Sequence, residues 1–220
     1  MIYRKDKIMD LCKGKNVLHL GFVQHHDLWR QKIAEDDWLH EKINIVSNYL
    51  VGIDYLADDV ETIKNEYGYE AYYADVTKKE DMARIKHSMK MDIDVIVCGE
   101  LIEHVANPGL MLDNLRMLMS ENTVLVITTP NPFAEHRMKL MKLGHYESEW
   151  LNKEHVCWYS FQTLKQLLDR MQYKEVDYGY YDAEKKVLES LPQRVKDYIK
   201  KGILTPCKEL SNGLFFVAKC

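Results

Sequence analysis

The sequence lacks the features that mark several large classes of protein. Among its 220 residues, no apolar segment approaches the roughly 18 residues that a membrane-spanning helix needs. Residues 1–7 also contain no apolar core of a signal peptide, so we expect no membrane span and a cytoplasmic location. Basic residues are not in excess, since the net charge is −4. Because nucleic-acid affinity comes largely from phosphate contacts, we expect no nucleic-acid partner.

Cysteines are few and scattered, and no two of the five form a C-x-x-C pair. This dispersion predicts free thiols in a reducing compartment and excludes a disulfide framework. Cys98 lies inside an apolar run, which is typical of a small buried hydrophobic residue. The nine histidines show no pair at the short spacing of a zinc site, so the sequence predicts no bound metal.

What the chain does contain is a series of short β-rich runs separated by helical segments. This alternation predicts a doubly wound, mostly parallel seven-stranded sheet with helices on both faces. The length suits a single α/β domain over residues 1–220. The predicted strands are Asn16–Leu20, Tyr49–Ile53, Glu70–Ala74, Asp94–Cys98, Thr123–Thr128, Tyr173–Tyr180 and Leu214–Ala218.

Capping signals and hydrophobic periodicity predict several of the helices. Asn107, followed by a proline, and Ser160 are favourable N-caps for the apolar-periodic segments after them. Thr77 with Glu80 has the spacing of a capping box. The apolar pattern from Leu28 to Lys42 predicts one continuous helix.

Two longer segments have less regular patterns. Residues 131–159 are rich in methionine, histidine and aromatic residues and contain no clear strand. We interpret them as an insertion that covers the substrate and is helical around Glu135–Leu143, because irregular segments of this length are usually functional. Residues 183–202 are predicted to be helical with an interruption at Pro192.

Polar residues and one glycine follow the predicted strands at their carboxyl ends, where open α/β sheets bind ligands. Gly21 after the first strand allows the backbone to approach a ligand closely. Asp54 after the second strand can accept hydrogen bonds from ribose hydroxyls, and Asp75 after the third can accept one from an adenine amino group. Helix capping is the alternative role for both aspartates.

The fourth strand leads into the run Cys98-Gly99-Glu100-Leu101-Ile102-Glu103-His104, which places two carboxylates and a histidine at the same edge. Together with VLHLG (17–21), VGID (51–54), YYADV (72–76) and ITTPN (127–131), this run resembles the class I S-adenosylmethionine-dependent methyltransferases. The G-E-x-x-E-H form is similar to quinone-biosynthesis methyltransferases. The EHVCWYS segment at 154–160 is similar to enzymes of glycan pathways.

The resemblance implies S-adenosylmethionine (SAM) as cofactor and assigns a role to each matching residue. Gly21 would lie under the methionine portion, Asp54 would hold the ribose, and Asp75 with Val76 would flank the adenine. Glu100 and Leu101 would lie beside the sulfonium. The turn after Gly21 departs from the family, because Phe22, Val23 and Gln24 stand where glycines are usual. We therefore expect His25 or His26 to meet the cofactor carboxylate directly, with His25 preferred, unless this turn blocks the pocket.

The predicted function is methyl transfer from SAM to a small-molecule or glycan acceptor, at an oxygen atom. A hydroxyl acceptor benefits from a base, and a neutral histidine can act as one near pH 7. His104 and His155 are the first candidates and Glu100 the third; packing is the alternative role for both histidines. The alternative functions are a nicotinamide-dependent oxidoreductase, disfavoured by the absence of G-x-G-x-x-G, and a non-catalytic binding protein that retains the fold.

Overall fold

A seven-stranded sheet forms the centre of the protein, with the strand order β3-β2-β1-β4-β5-β7-β6. The computed structural model describes residues 2–26, 28–150, 152–182 and 207–220. Strands β1 to β5 are parallel, and β7 runs antiparallel to both β5 and β6. The predicted doubly wound sheet is therefore confirmed. The strands are β1 (Asn16–Leu20), β2 (Tyr49–Asp54), β3 (Ala71–Tyr73), β4 (Val95–Gly99), β5 (Val124–Pro130), β6 (Lys174–Tyr181) and β7 (Gly213–Lys219).

Helices cover both faces of this sheet, which explains why the central strands are apolar on both sides. In β1, Leu18 and Leu20 belong to the core on one face and Val17 belongs to the core on the other. The helices are α1 (Arg4–Cys12), α2 (Trp29–Ala34), α3 (Leu39–Val46), α4 (Ala57–Tyr67), α5 (Lys79–Ser88), α6 (Pro108–Leu115), α7 (Glu135–Lys142), α8 (Glu147–Trp150) and α9 (Phe161–Arg170).

The two faces carry different helices. Helices α5, α6 and α9 contribute Met82, Leu112 and Leu164 to the larger core. Helices α1 and α3 contribute Ile8 and Ile43 to the core on the opposite face. Within the described residues, no helix combines the length and apolar character required to cross a membrane.

Two of the predicted helix starts are confirmed. The Asn107 side chain accepts a hydrogen bond from the Leu110 amide at 3.2 Å, and Ser160 forms a capping box with Thr163. The predicted capping box at Thr77 is wrong: α5 begins at Lys79 without a side-chain cap, because the Thr77 hydroxyl donates to Asp75 instead.

The predicted continuous helix over Leu28–Lys42 is also wrong. The segment forms α2 and α3, separated by Asp36 with a φ of +51°. After this break, Trp38 has an extended backbone and its indole nitrogen donates to the Phe22 carbonyl at 2.9 Å. The helix predicted around Glu135–Leu143 is confirmed as α7, whereas the one predicted for 183–202 lies outside the described residues.

The topology brings six strand ends to one edge of the sheet. Strands β1 to β5 end there because they are parallel. Strand β6 also ends there, since it and β5 both run antiparallel to the intervening β7. The residues that follow these strands are therefore neighbours in space, and the cavities of the candidate site open between them.

Candidate active site

A cavity of about 500 Å³ lies beyond the ends of β1, β2 and β3. Its walls include all of the residues expected to contact adenosine and sulfonium except Glu100. The lining contains Gly21, Asp54, Asp75, Val76, Leu101 and His104. The structure thus brings together residues that the sequence placed at separate strand ends.

The turn after β1 leaves this cavity open although it holds only one glycine. Gly21 has a φ of +65°, and a Cβ at this position would lie 3.1 Å from a methyl carbon of Leu101. Phe22 and Val23 are fully buried in a separate aromatic cluster that also contains Trp29. Bulky residues in this turn therefore point into the protein and away from the cavity.

Gly52 in β2 makes the room that Phe22 needs. A Cβ built on Gly52 would lie 2.7 Å from two carbons of the Phe22 ring, closer than real contacts allow. This pairing could not be predicted from the sequence, because Phe22 lies in the turn after β1 and Gly52 lies in β2, far along the chain. A glycine on the neighbouring strand thus allows the turn to hold a bulky phenylalanine.

Asp54 anchors the same turn while it faces the cavity. Its carboxylate accepts hydrogen bonds from the backbone amides of Val23 at 3.0 Å and Leu56 at 3.2 Å. Burial raises the pKa of Asp54, and the amide donors act in the opposite direction. Helix α4 begins at Ala57 without a side-chain N-cap, so Asp54 holds the residue before that helix, Leu56, and does not cap the helix itself.

Asp75 has a mainly local set of hydrogen bonds. One of its carboxylate oxygens accepts from the Thr77 amide at 2.9 Å and from the Thr77 hydroxyl at 2.7 Å. The Asp75 amide donates to Asp81 at 2.9 Å, and the Val76 carbonyl accepts from Asn114 at 3.1 Å. These contacts fix the loop after β3, which forms one wall of the first cavity.

A second cavity, of about 410 Å³, adjoins the first, and Gly21, Asp54, Leu101 and His104 line both. Charged and titratable side chains dominate the remainder of its lining. They include Arg4, His25, Glu100, Glu103, Arg137 and His155. All three residues predicted to act on the acceptor, His104, His155 and Glu100, therefore lie around one cavity.

His25 lies in this second cavity with its Nδ1 atom 3.7 Å from a Glu154 oxygen. The adjacent His26 also lines this cavity; its Nδ1 atom lies 2.5 Å from an Asp59 oxygen, and its side chain is largely exposed. Lys32 also lines the cavity, and its ammonium group donates to Gln24 at 2.6 Å. Lys32 thus places a positive charge in the cavity that His25 also lines.

Glu100 has a strained backbone, with a φ of +55° that is uncommon for a residue other than glycine. Its amide donates to the Thr128 carbonyl at 2.9 Å, which holds the end of β4 against β5. Its carboxylate accepts a hydrogen bond from the Tyr181 hydroxyl at the end of β6. Gly213 allows this contact, because a Cβ there would lie only 2.1 Å from the Tyr181 ring.

His104 and His155 meet edge to face, with ring centroids 4.7 Å apart. Burial lowers the pKa of each imidazole, so both are neutral at pH 7. His155 also contacts the Trp158 ring edge to face at 5.6 Å. The packing role and the base role considered for His155 are therefore compatible in this geometry.

Glu103 lies beneath these histidines and is only 1% exposed. One carboxylate oxygen accepts from the Thr129 hydroxyl at 3.1 Å. Burial, reinforced by the nearby Glu100 carboxylate, raises the pKa of Glu103 to about 8. The ligating atoms of Glu103, His104 and His155 lie within 4.8 Å of one another.

Four residues of the candidate site were not predicted from the sequence: Arg4, Arg137, Glu103 and Tyr181. Glu103 is part of the G-E-x-x-E-H run and is the one that the motif itself could have indicated. The others come from α1, α7 and the end of β6, and no local signal links them to the edge of the sheet. Burial lowers the pKa of Arg137, and the nearby Glu100 carboxylate opposes this effect.

Residues 31–177 match a protein family described as a methyltransferase domain, which covers more than half of the chain. The chain belongs to this methyltransferase family. It is a SAM-dependent methyltransferase of class I, in agreement with the sequence resemblance. The matched region contains β2 to β5 and most of the residues that line the two cavities. No curated protein sequence is significantly similar to this methyltransferase.

Solved methyltransferase structures share the fold of this methyltransferase at low sequence identity. A SAM-dependent methyltransferase from Archaeoglobus fulgidus superposes with a TM-score of 0.57 and 14% identity, covering 98% of this chain and 90% of the other. Magnesium protoporphyrin IX methyltransferase from Synechocystis PCC 6803, with bound S-adenosylhomocysteine (SAH), superposes with a TM-score of 0.56 and 10% identity, covering 98% of this chain and 81% of the other. The plantazolicin methyltransferase, in complex with a desmethyl analogue and SAH, superposes with a TM-score of 0.53 and 16% identity, covering 98% of this chain and 84% of the other.

The residues of this methyltransferase fit its cofactor. The absent Cβ of Gly21 leaves a cradle against Leu101, and the first cavity offers carboxylates where a ribose and an adenine carry hydrogen-bond donors. Because SAM has no phosphate, the cavity does not need the glycine-rich turn that a pyrophosphate requires. The one-glycine turn is thus consistent with SAM binding.

Proposed function

We propose that this methyltransferase transfers the methyl group of SAM to a hydroxyl oxygen of a small-molecule or glycan acceptor. The acceptor binds in the second cavity and the adenosine part of SAM in the first. One observation carries the proposal: the two cavities meet at Leu101 and His104, and proton-accepting side chains cluster on the acceptor side of this junction.

In the first cavity, Asp54 holds the ribose hydroxyls, and Asp75 with Val76 flanks the adenine. Gly21 lets the backbone approach the methionine portion, and Leu101 lies beside the reacting carbon. His25 meets the cofactor carboxylate, and Lys32 places a positive charge at that end of the cavity. These assignments follow the lining of the cavity and the hydrogen-bonding capacity of each side chain.

SAM supplies an activated methyl group, so the protein has to align the acceptor and remove its proton. His104 is the leading base, since it lines both cavities and burial lowers the pKa of its imidazole. His155 contacts His104 and orients it. Glu100 is the third candidate, and the Tyr181 hydroxyl holds its carboxylate in the cavity.

A small acceptor is supported by the size of the second cavity, about 410 Å³, and by its polar lining. Two of the structural neighbours are named after the compounds that they methylate, magnesium protoporphyrin IX and plantazolicin. These names are compatible with a small-molecule acceptor here. Helix α7 has no buried residue, which suits a segment that covers an acceptor rather than one that builds the core. We therefore retain residues 131–159 as the substrate-covering insertion of a single domain.

The test uses the full chain with methyl-labelled SAM and pools of hydroxylated quinones, glycans and nucleotide sugars, followed by mass analysis. We expect one pool to contain a product that has gained one labelled methyl group in place of a hydrogen, together with the formation of SAH. Calorimetry with SAH, run in parallel, separates cofactor binding from acceptor choice. Absence of SAH binding would overturn the proposal and favour a non-catalytic protein that retains the fold.

A further inference from the structure

Three side chains of the second cavity form a cluster that the proposed base chemistry does not fully explain. Glu103, His104 and His155 come from the turn after β4 and from the segment before α9. One ligating atom from each lies within 4.8 Å of the other two. The sequence spacing gives no sign of this arrangement, because His155 lies far along the chain from the other two residues.

Two atoms of the cluster are buried and have no hydrogen-bond partner in the described part of the chain. They are Oε1 of Glu103 and Nδ1 of His155. Glu103 is only 1% exposed, and its other oxygen is already occupied by the Thr129 hydroxyl. A buried polar atom without a partner costs about 1–3 kcal/mol, so such atoms usually indicate a missing partner.

From this geometry we infer that Glu103, His104 and His155 bind a divalent transition-metal cation in the acceptor cavity. Two imidazoles and one carboxylate are ligands that suit Mn²⁺, Fe²⁺, Co²⁺ and Zn²⁺. A cation bound at about 2.1 Å from each ligand requires ligand separations of roughly 3–4 Å, so side-chain rotations that move the atoms by about 1 Å close the site.

The surrounding charges also suit a cation. Glu154 approaches the cluster, with an oxygen 3.9 Å from Nδ1 of His104, and Glu100 lies in the same cavity. Arg4 and Arg137 line this cavity as well and offset part of the negative charge. With Glu103, which must lose its proton to act as a ligand, the cation faces three carboxylates and two guanidinium groups.

Three protein ligands leave coordination positions open toward the cavity. An acceptor oxygen can occupy one of them, and a second oxygen on a neighbouring carbon can occupy another. The site therefore favours acceptors with two adjacent oxygen atoms, such as vicinal diols of sugars or aromatic rings. This catalytic role rests on the proposed function, whereas binding of the cation does not.

Methyl transfer proceeds as a direct displacement when the cation is bound. The oxygen–carbon bond to the methyl group forms as the sulfur–carbon bond breaks, and the electron pair of that bond stays on sulfur to give SAH. The cation makes the acceptor hydroxyl more acidic, and its proton passes to the Glu100 carboxylate. With the cation bound, Glu100 replaces His104 as the base, and His104 and His155 promote proton loss as ligands of the cation.

The experiment measures binding of Co²⁺ alone to the full chain, without a histidine tag and after treatment with a chelator. Calorimetry and the visible absorption of Co²⁺ report stoichiometry and nitrogen ligation. We expect one Co²⁺ per chain, with affinity reduced about tenfold or more in Glu103→Gln and in His155→Gln. His87→Gln, at an exposed position on α5, is the matched control and should leave the affinity unchanged.

Binding of SAH and the circular dichroism spectrum of each variant show whether it remains folded. Absence of Co²⁺ binding to the parent chain, or equal affinity in parent and Glu103→Gln, overturns the inference. If SAH binds and Co²⁺ does not, the metal site fails while the proposed function stands. If Co²⁺ binds and SAH does not, the cation site stands and the proposed function fails.

Discussion

Replacement of Asp54 by alanine tests two roles of one carboxylate at once. The side chain is 5% exposed, and its two oxygens accept hydrogen bonds from the amides of Val23 and Leu56. Its removal leaves the Val23 amide without its carboxylate partner beside the cavity. We expect Asp54→Ala to lower the free energy of unfolding by about 1–3 kcal/mol.

The same substitution removes the proposed partner of the ribose hydroxyls. Loss of these charge-assisted hydrogen bonds corresponds to about 1–3 kcal/mol, or roughly a 5- to 150-fold rise in the Kd for SAH. Calorimetry measures the Kd, and urea denaturation measures the free energy of unfolding. Both are measured at a temperature at which circular dichroism shows a folded variant.

Asp58→Ala is the matched control, because Asp58 lies exposed in the first turn of the same helix, α4. We expect this control to leave the Kd for SAH unchanged. An unchanged Kd in folded Asp54→Ala would refute the ribose role. An unchanged free energy of unfolding would refute the structural role of the two amide hydrogen bonds in the turn.

Three further predictions concern packing, pH and turnover. Gly52→Ala should lower the free energy of unfolding, measured by urea denaturation, by about 1–3 kcal/mol, since the added methyl group overlaps a buried aromatic ring. Gly109→Ala is the control: its added methyl group makes only ordinary contacts in a helix, so we expect no such destabilisation. His19 and His40 are buried with lowered pKa values, so the unfolded chain binds more protons below pH 6.5 and stability falls with falling pH. His40→Gln should reduce that slope by about 1.4 kcal/mol per pH unit, and an unchanged slope would contradict neutral burial. His104→Ala should lower kcat far more than SAH affinity, and equal turnover would remove it from the chemistry.

The positions of Gly21, Asp54 and Asp75 could be predicted from the sequence because their placement depends on local features. Each follows a short apolar run, and the carboxyl ends of parallel strands meet at one edge. The same reasoning correctly placed Glu100 and His104 after β4. Local strand signals and the chain order were sufficient to predict this half of the site.

The rest of the site depends on contacts between distant segments. Arg4 reaches the cavity because α1 packs across the sheet, and His155 reaches Glu103 because the Val156 and Cys157 amides donate to the Glu103 carbonyl. Neither contact leaves a pattern in the sequence around it. The break between α2 and α3 was likewise not predicted, since the apolar periodicity continues through it.

Strand β7 follows β6 along the chain but lies between β5 and β6 in the sheet. In the described part of the chain, β6 has no other strand neighbour, so it cannot join the sheet until β7 has been synthesised and inserted. Tyr181, which packs on Gly213 of β7, then reaches Glu100 in the same event. During translation, which proceeds from the N-terminus, the first cavity can form early, whereas Glu100 in the second cavity gains its Tyr181 partner only after β7 has joined the sheet.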